Sequence, residues 1–231
     1  MPRFAQFVPE GVIPACLLPF HDDLSIDEKS FRRHLSDVAA VQGVTAIAIN
    51  AHSTEVASCG FDEQRRILEI TQDEIGAKTP IVNGIYAEGS LEAAKLARMA
   101  HDGGASALLV FPPGPFSLGQ RPEMALAHFQ RIADASDLPI IVFEYPLAGG
   151  QGYPLDTLLK LFSKVPTIRA IKDWTPQVPL HERHIRTLQS LDKPVNVLST
   201  NSSWLFSSLV LGAKGLLSGS GSVIADLQAR L

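Results

Sequence analysis

Cysteine is scarce in this chain. The two present among 231 residues, Cys16 and Cys59, cannot build a disulfide framework and do not stand at zinc-ligand spacing. Both read as small apolar residues, buried or half-buried, rather than as ligands or nucleophiles. Long hydrophobic runs are missing too: no stretch of about 18 apolar residues occurs, so no membrane span is expected. The first twenty residues, MPRFAQFVPEGVIPACLLPF, lack the basic region, unbroken apolar stretch and cleavage site of an export signal, and a reducing cytoplasm is the expected compartment. No excess of one charge stands out. With 20 Lys and Arg against 24 Asp and Glu, the chain has no electrostatic footprint for nucleic acid or an anionic membrane, and neither is expected as a partner.

What is present is alternation. Short apolar runs at Gly11–Leu18, Val44–Asn50, Pro80–Tyr86, Ser106–Pro112, Leu138–Tyr145, Thr167–Trp174, Val195–Thr200 and Ala213–Ser220 read as strands. Most are nearly continuous, as parallel strands buried on both faces should be. Amphipathic stretches lie between them. Ser25 or Asp27 can cap the first, with Phe31, Leu35 and Val38 at helical spacing. Ser90 precedes LEAAKLARMAHDGG, in which Leu91, Ala94, Met99 and the closing glycines mark a helix and its stop. Pro122 and Pro154 open two more helices as first-turn prolines.

Eight strands, each followed by a helix, give a doubly wound sheet or a closed barrel. The doubly wound form expects a Gly-rich phosphate turn after an early strand. None occurs, and the GSGS at 219–222 is one tetrapeptide, a possible nest. The expectation is a single (β/α)8 TIM barrel over residues 1–231. Its C-terminal helices are expected to be truncated or unseen, because SVIADLQARL is short and leaves little to cover the last strand.

In such barrels the active site lies where strands end and βα loops begin. That rule selects Asn50 to Glu55, Tyr86, Phe143-Glu144-Tyr145, Lys172-Asp173-Trp174 and Ser218-Gly219-Ser220. Lys172 interrupts an apolar run, TIRAIKDW. A buried ammonium is costly unless paired or neutralised, and desolvation supplies the free amine that attacks a ketone. The same position also suits a lysine that snorkels to solvent or pairs with Asp173. Both readings stand at this point. His52 and Ser53 can bind a carboxylate through side chains and turn N–H groups, or cap the following helix. Glu55 suits the structural task of holding nearby N–H groups. Alternation sets Glu144 on the face opposite Phe143 and Tyr145, which favours a structural role facing a helix start. His181 and His184, in HERHIRTLQ, read as solvated surface residues, with no third ligand for a metal.

These segments, in this order, resemble the dihydrodipicolinate synthase and N-acetylneuraminate lyase superfamily of pyruvate-type class I aldolases. GVIPACLLPF is similar to the family's GVIPALVTPF, and LEAAKLARMAHDGGASALLVFPP to its REAIELARAAEEAGADGVLVVTPYY. PIIVFEYP stands where the family has PIILYNVP, AIKDW where it has GIKEA or GIKDS, and LGAKGLLSGSGSV where it has LGAKGVISVTANV. The likeness covers almost the whole chain.

The resemblance implies that Lys172 forms a Schiff base with pyruvate or a related 2-oxo acid, with no metal or organic cofactor. It lays Ala51 to Glu55 on the family's GTTGE motif. Ser53, Thr54 and the neighbouring backbone would then hold the substrate carboxylate, while Leu217 and Ser218 would line the same pocket. It also implies a homo-oligomer, dimer or tetramer, although the tyrosines that interlock across the family's dimer are absent. Other departures bear on chemistry. The catalytic tyrosine position is Phe143, and the threonine of the proton relay is His52. TPYY reads FPPGPF, and the arginine that recognises the carboxylate of an aldehyde substrate aligns with Ala148. Phenylalanine has no proton to give. His52, titrating near neutrality, and Tyr145, two residues along the strand, are the candidate replacements. The expected activity is that of a lyase or aldolase. A sugar-acid dehydratase, a hydratase-aldolase and a catalytically impaired 2-oxo-acid-binding homologue are the alternatives.

Overall fold

Apolar residues on both faces of a strand require cover on both faces, and the chain supplies it by placing a helix after every strand. The computed structural model describes residues 4 and 6–231. Its strands are β1 Gly11–Pro14, β2 Ile47–Ile49, β3 Ile81–Ile85, β4 Ala107–Val110, β5 Ile140–Glu144, β6 Ile168–Asp173, β7 Asn196–Ser199 and β8 Gly215–Ser218. The helices are α1 Glu28–Ala39, α2 Phe61–Glu74, α3 Ser90–Asp102, α4 Pro122–Ala133, α5 Leu155–Lys164, α6 Val178–Leu188, α7 Leu205–Val210 and α8 Gly221–Gln228.

All strand pairs are parallel, in the order β1-β8-β7-β6-β5-β4-β3-β2. Parallel bridges from Val12 to Val44 and from Ala15 to Ala48 close the ring. The fold is the expected (β/α)8 barrel. Each strand lies inside its expected run and is shorter, because ladder pairing covers only part of each run. No helix among the described residues is long and apolar enough to cross a membrane.

Alternation divides the core in two. Ile13, Ala48, Val82, Leu109, Ile141, Phe143, Ala170, Leu198 and Leu217 fill the barrel interior. Their neighbours on the strands pack outward against the helices with Phe31, Leu35, Ile67, Phe129 and Leu158. Asp27 caps α1 by accepting the Ser30 N–H at 3.0 Å, which selects it over Ser25. Cys16 and Cys59 are buried free thiols, and burial pushes them up to about 12 and about 11.

Two expectations change. The helix over 90–102 is capped by Gly89; Ser90 lies in its first turn, its hydroxyl 3.0 Å from His128 Nδ1. Of the expected apolar positions, Ala94 and Met99 bury with Ala93, Leu96, Ala97 and Ala100, while Leu91 in the first turn is 72% exposed. The last helix is short, as expected, at 8 residues. Kinked at Ile224, α8 packs on β1 and β8 and brings Ala225 and Gln228 into the interior.

One close backbone approach positions the later site. Asn50 adopts a left-handed conformation (φ 50°) at the end of β2, and its amide donates to Gln64 O at 2.9 Å and Asn83 Oδ1 at 2.8 Å. Its carbonyl lies against Gly84, where any Cβ would collide with it. Gly84→Ala is expected to destabilise the fold by about 3 kcal/mol, the upper end of overpacking costs, measured by urea unfolding; an unchanged midpoint would show that the β2 end moves freely.

Candidate active site

Lys172 occupies the inner face of β6, with Phe143 of β5 and Leu198 of β7 as its register partners. Its Nζ lies 3.9 Å from the centre of the Phe143 ring. The side chain is 5% exposed and makes no salt bridge among the described residues. Two effects compete at the amine. A ring face favours the ammonium by roughly 1–2 kcal/mol, whereas burying an ammonium without a counter-ion costs several. Desolvation wins, and burial pulls Lys172 down to about 7. The snorkelling and ion-paired readings of this residue do not fit.

Asp173 cannot be the counter-ion, because it faces the other way. On the outer face it forms a row with its register partners Glu144 and Ser199. His181 and His184 of α6, one turn apart, each donate Nδ1–H to Asp173 Oδ2 at 2.8 Å. Asp173 Oδ1 accepts the Thr175 N–H at 2.8 Å. Burial alone would raise this carboxyl, but the bonds and charge from the two histidines outweigh it and hold Asp173 far below the usual carboxylate range. His181 Nε2 is 2.9 Å from Ser208 Oγ, which in turn donates to Ser199 Oγ at 2.9 Å. Both histidines are thus buried residues tied to β6, not the solvated surface pair expected from their polar neighbours. Their signal was spacing: residues three apart on a helix share a face, and here that face meets a carboxylate.

Glu144 holds the structural place expected of it. Fully buried, it accepts the Tyr153 N–H just before α5, at 3.0 and 3.1 Å to its two oxygens. Burial first, and then the Asp173 charge, push its carboxyl well above the ordinary range.

The turn after β2 brings His52 over the barrel mouth. Its Nε2 lies 2.9 Å from the Tyr145 hydroxyl, so the two candidates for the missing proton group form one hydrogen-bonded pair. Burial, reinforced by Tyr86, raises the Tyr145 phenol above its ordinary value; it stays protonated and donates. Burial and then the Lys172 charge lower the His52 imidazole, which keeps it neutral and able to accept. The N–H groups of His52 and Ser53 make no backbone bond among the described residues. Ser53 Oγ sits beside Gly219 of the last βα loop. His52 and Ser53 do not cap α2: its N-cap is Gly60, whose own N–H donates to Glu63 Oε2 at 2.7 Å.

Three neighbours are placed differently from expectation. Thr54 is buried and donates its hydroxyl to Cys16 O at 3.0 Å, while its N–H bonds Ala51 O, so its polar groups are engaged within the protein. Ser218 follows inward-facing Leu217, and alternation turns it to the outer face, where it meets Ser220 Oγ at 2.7 Å. Glu55 is exposed in a left-handed conformation, with no side-chain hydrogen bond among the described residues.

Rings complete the mouth. His52 lies 4.9 Å from Phe111 and 5.8 Å from Phe143, and Tyr145 lies 4.6 Å from Phe143 and 5.5 Å from Trp174, between centroids. The site therefore combines a buried amine drawn down to about 7, a hydrogen-bonded phenol–imidazole pair, and a turn whose His52 and Ser53 N–H groups make no backbone bond among the described residues.

Known proteins share this arrangement of sequence and fold. The 4-hydroxy-tetrahydrodipicolinate synthase of Methanothrix thermoacetophila is 31% identical over 220 residues, covering 95% of this chain and 70% of that protein. The enzyme of the same name from Methanopyrus kandleri is 30% identical over 226 residues, 96% and 72% of the two chains. Among solved structures, YagE from E. coli K12, a prophage protein of the dihydrodipicolinic acid synthase family in complex with pyruvate, superposes with a TM-score of 0.90. It is 22% identical, with 97% of this chain and 74% of that one covered. The sequence model of the dihydrodipicolinate synthetase family matches residues 8–231, and the chain belongs to that family.

Proposed function

We propose that this lyase of the dihydrodipicolinate synthetase family acts on pyruvate or a related 2-oxo acid through an imine on Lys172. The observation that carries the reading is the amine: buried, without a counter-ion, and drawn down to about 7, it is substantially unprotonated at neutral pH. A free amine adds to the ketone carbon, and loss of water gives the imine. The protonated imine nitrogen accepts electron density, so loss of a C3 proton yields an enamine that joins a carbonyl carbon or, in reverse, is released from one. A 2-oxo acid is also what the E. coli relative holds.

The substrate carboxylate fits the turn after β2, where Ser53 Oγ and the N–H groups of His52 and Ser53 are the available donors. Phe143 packs the amine but has no hydroxyl, so the protons of carbinolamine formation and collapse are assigned to the Tyr145–His52 pair. Leu217 contributes apolar wall. Two buried free thiols suit a reducing compartment such as the cytoplasm.

Borohydride reduction in the presence of pyruvate is expected to add one pyruvate-derived mass to the wild-type chain and none to Lys172→Ala. An adduct mapped to a different lysine would falsify the assignment. His52→Ala is expected to slow turnover by roughly 10²–10⁴-fold, the usual worth of a positioned acid–base group, with far less change in KM for pyruvate. An unaltered rate would move the relay to another group. Imine formation without any turnover, together with activity gained in Phe143→Tyr, would favour a 2-oxo-acid-binding homologue instead.

A further inference from the structure

On the outer face of the sheet, behind Lys172, lies a cluster of buried polar and titratable side chains that the reaction does not touch. Asp173 on β6, His181 and His184 on α6 and Ser208 on α7 are all buried, and Glu144 of β5 and Ser199 of β7 flank Asp173 in register. The sheet prevents contact between Asp173 and Lys172 but does not stop their charges from interacting. Two unit charges about 10 Å apart, at an effective dielectric constant of about 20, move a pKa by roughly one unit. A bare carboxylate at Asp173 would favour the Lys172 ammonium and oppose the desolvation that draws the amine down to about 7. A positive charge beside Asp173 would remove that opposition.

Counting protons identifies its carrier. A serine hydroxyl has one proton. That of Ser208 is taken by Ser199 Oγ at 2.9 Å or by the Trp204 carbonyl at 3.1 Å. Its remaining neighbour, His181 Nε2 at 2.9 Å, then supplies the proton of that bond. His181 also donates Nδ1–H to Asp173 Oδ2 at 2.8 Å. Protons on both ring nitrogens make an imidazolium, and this one stands against a buried carboxylate, as buried charges require. His184 differs. Its Nδ1–H meets the same oxygen at 2.8 Å and it makes no other side-chain hydrogen bond among the described residues, so a neutral ring suffices. Glu144 adds little negative charge, since burial and the Asp173 charge favour its uncharged form.

We propose that His181 is a positioning residue for Lys172: an imidazolium whose charge cancels that of Asp173 and so keeps the amine across the sheet free to attack the 2-oxo acid. This rests on the imine reading of the site. His184 and the Thr175 N–H hold the carboxylate in place, whereas His181 both holds and neutralises it. The two histidines look alike in the sequence and share one oxygen, yet only His181 is tied through Ser208 to β7, and that tie is what gives it a second proton.

Asparagine can place an N–H where the histidine Nδ1–H stands but carries no charge, so His181→Asn separates the charge from the bond. The Lys172 titration, followed by NMR of ¹³C-labelled lysine, is expected to rise by about one pH unit in His181→Asn and to stay in place in His184→Asn. Borohydride trapping of pyruvate by His181→Asn should be about fivefold slower than wild type at pH 7 and equal to it at pH 10, where the amine is free in both. Adding Asp173→Asn to His181→Asn should return the Lys172 titration to its wild-type position. In the wild-type protein, ¹⁵N NMR at pH 7 should find both His181 ring nitrogens protonated, a reading that depends on no variant. A singly protonated His181, an unmoved Lys172 titration in His181→Asn, or trapping slowed equally at pH 7 and pH 10 overturns the proposal. Failure to trap pyruvate on Lys172 at any pH overturns the imine reading alone, because both NMR readings are made without substrate.

Discussion

Everything the site can do depends on one arrangement at the end of β6: a lysine turned into the barrel and an aspartate turned out of it. Two adjacent residues of opposite charge would neutralise each other on a loop. On a strand they stand on opposite faces, and the sheet lies between them. The ammonium of Lys172 therefore faces Phe143 and Leu198 rather than a carboxylate, and desolvation is left unopposed except by a ring. That is the physical origin of an amine drawn down to about 7.

The outward residue is held as firmly as the inward one is left alone. Asp173 is bound by His181, His184 and the Thr175 N–H, and its backbone is paired to both β5 and β7. These bonds fix the end of β6 and thereby the direction of Lys172. On the other side of the mouth, the left-handed Asn50, packed against Gly84 and bonded to Asn83 and Gln64, sets the turn that carries His52 towards Tyr145. The geometry of the site comes from backbone anchoring outside it as much as from the side chains within it.

The barrel was legible because eight apolar runs of strand length alternate with amphipathic helices, and that pattern has few solutions. Lys172 was legible as a charge inside an apolar run, and the outward turn of Glu144 followed from a period of two. What escaped depended on tertiary partners. His181 and His184 sit among Glu182, Arg183 and Arg186 and look solvated, yet the helix rotates their shared face onto a buried aspartate. Thr54 and Ser218 belong to segments that border the pocket, but their side chains are engaged elsewhere, by Cys16 and Ser220. The joining of His52 and Tyr145 links residues 93 apart in sequence, and spacing alone carries no signal for such a contact.

The central claim is that burial without a counter-ion leaves the Lys172 amine uncharged near neutrality. Its protonation can be followed directly by NMR of the protein labelled with ¹³C at lysine Cε, with the resonance assigned by its loss in Lys172→Met. The account predicts one lysine titrating near pH 7, well apart from the rest, as the pH is raised from acid. If the Lys172 signal instead titrates near its ordinary value of 10.5, the amine is solvated or paired and the account is wrong.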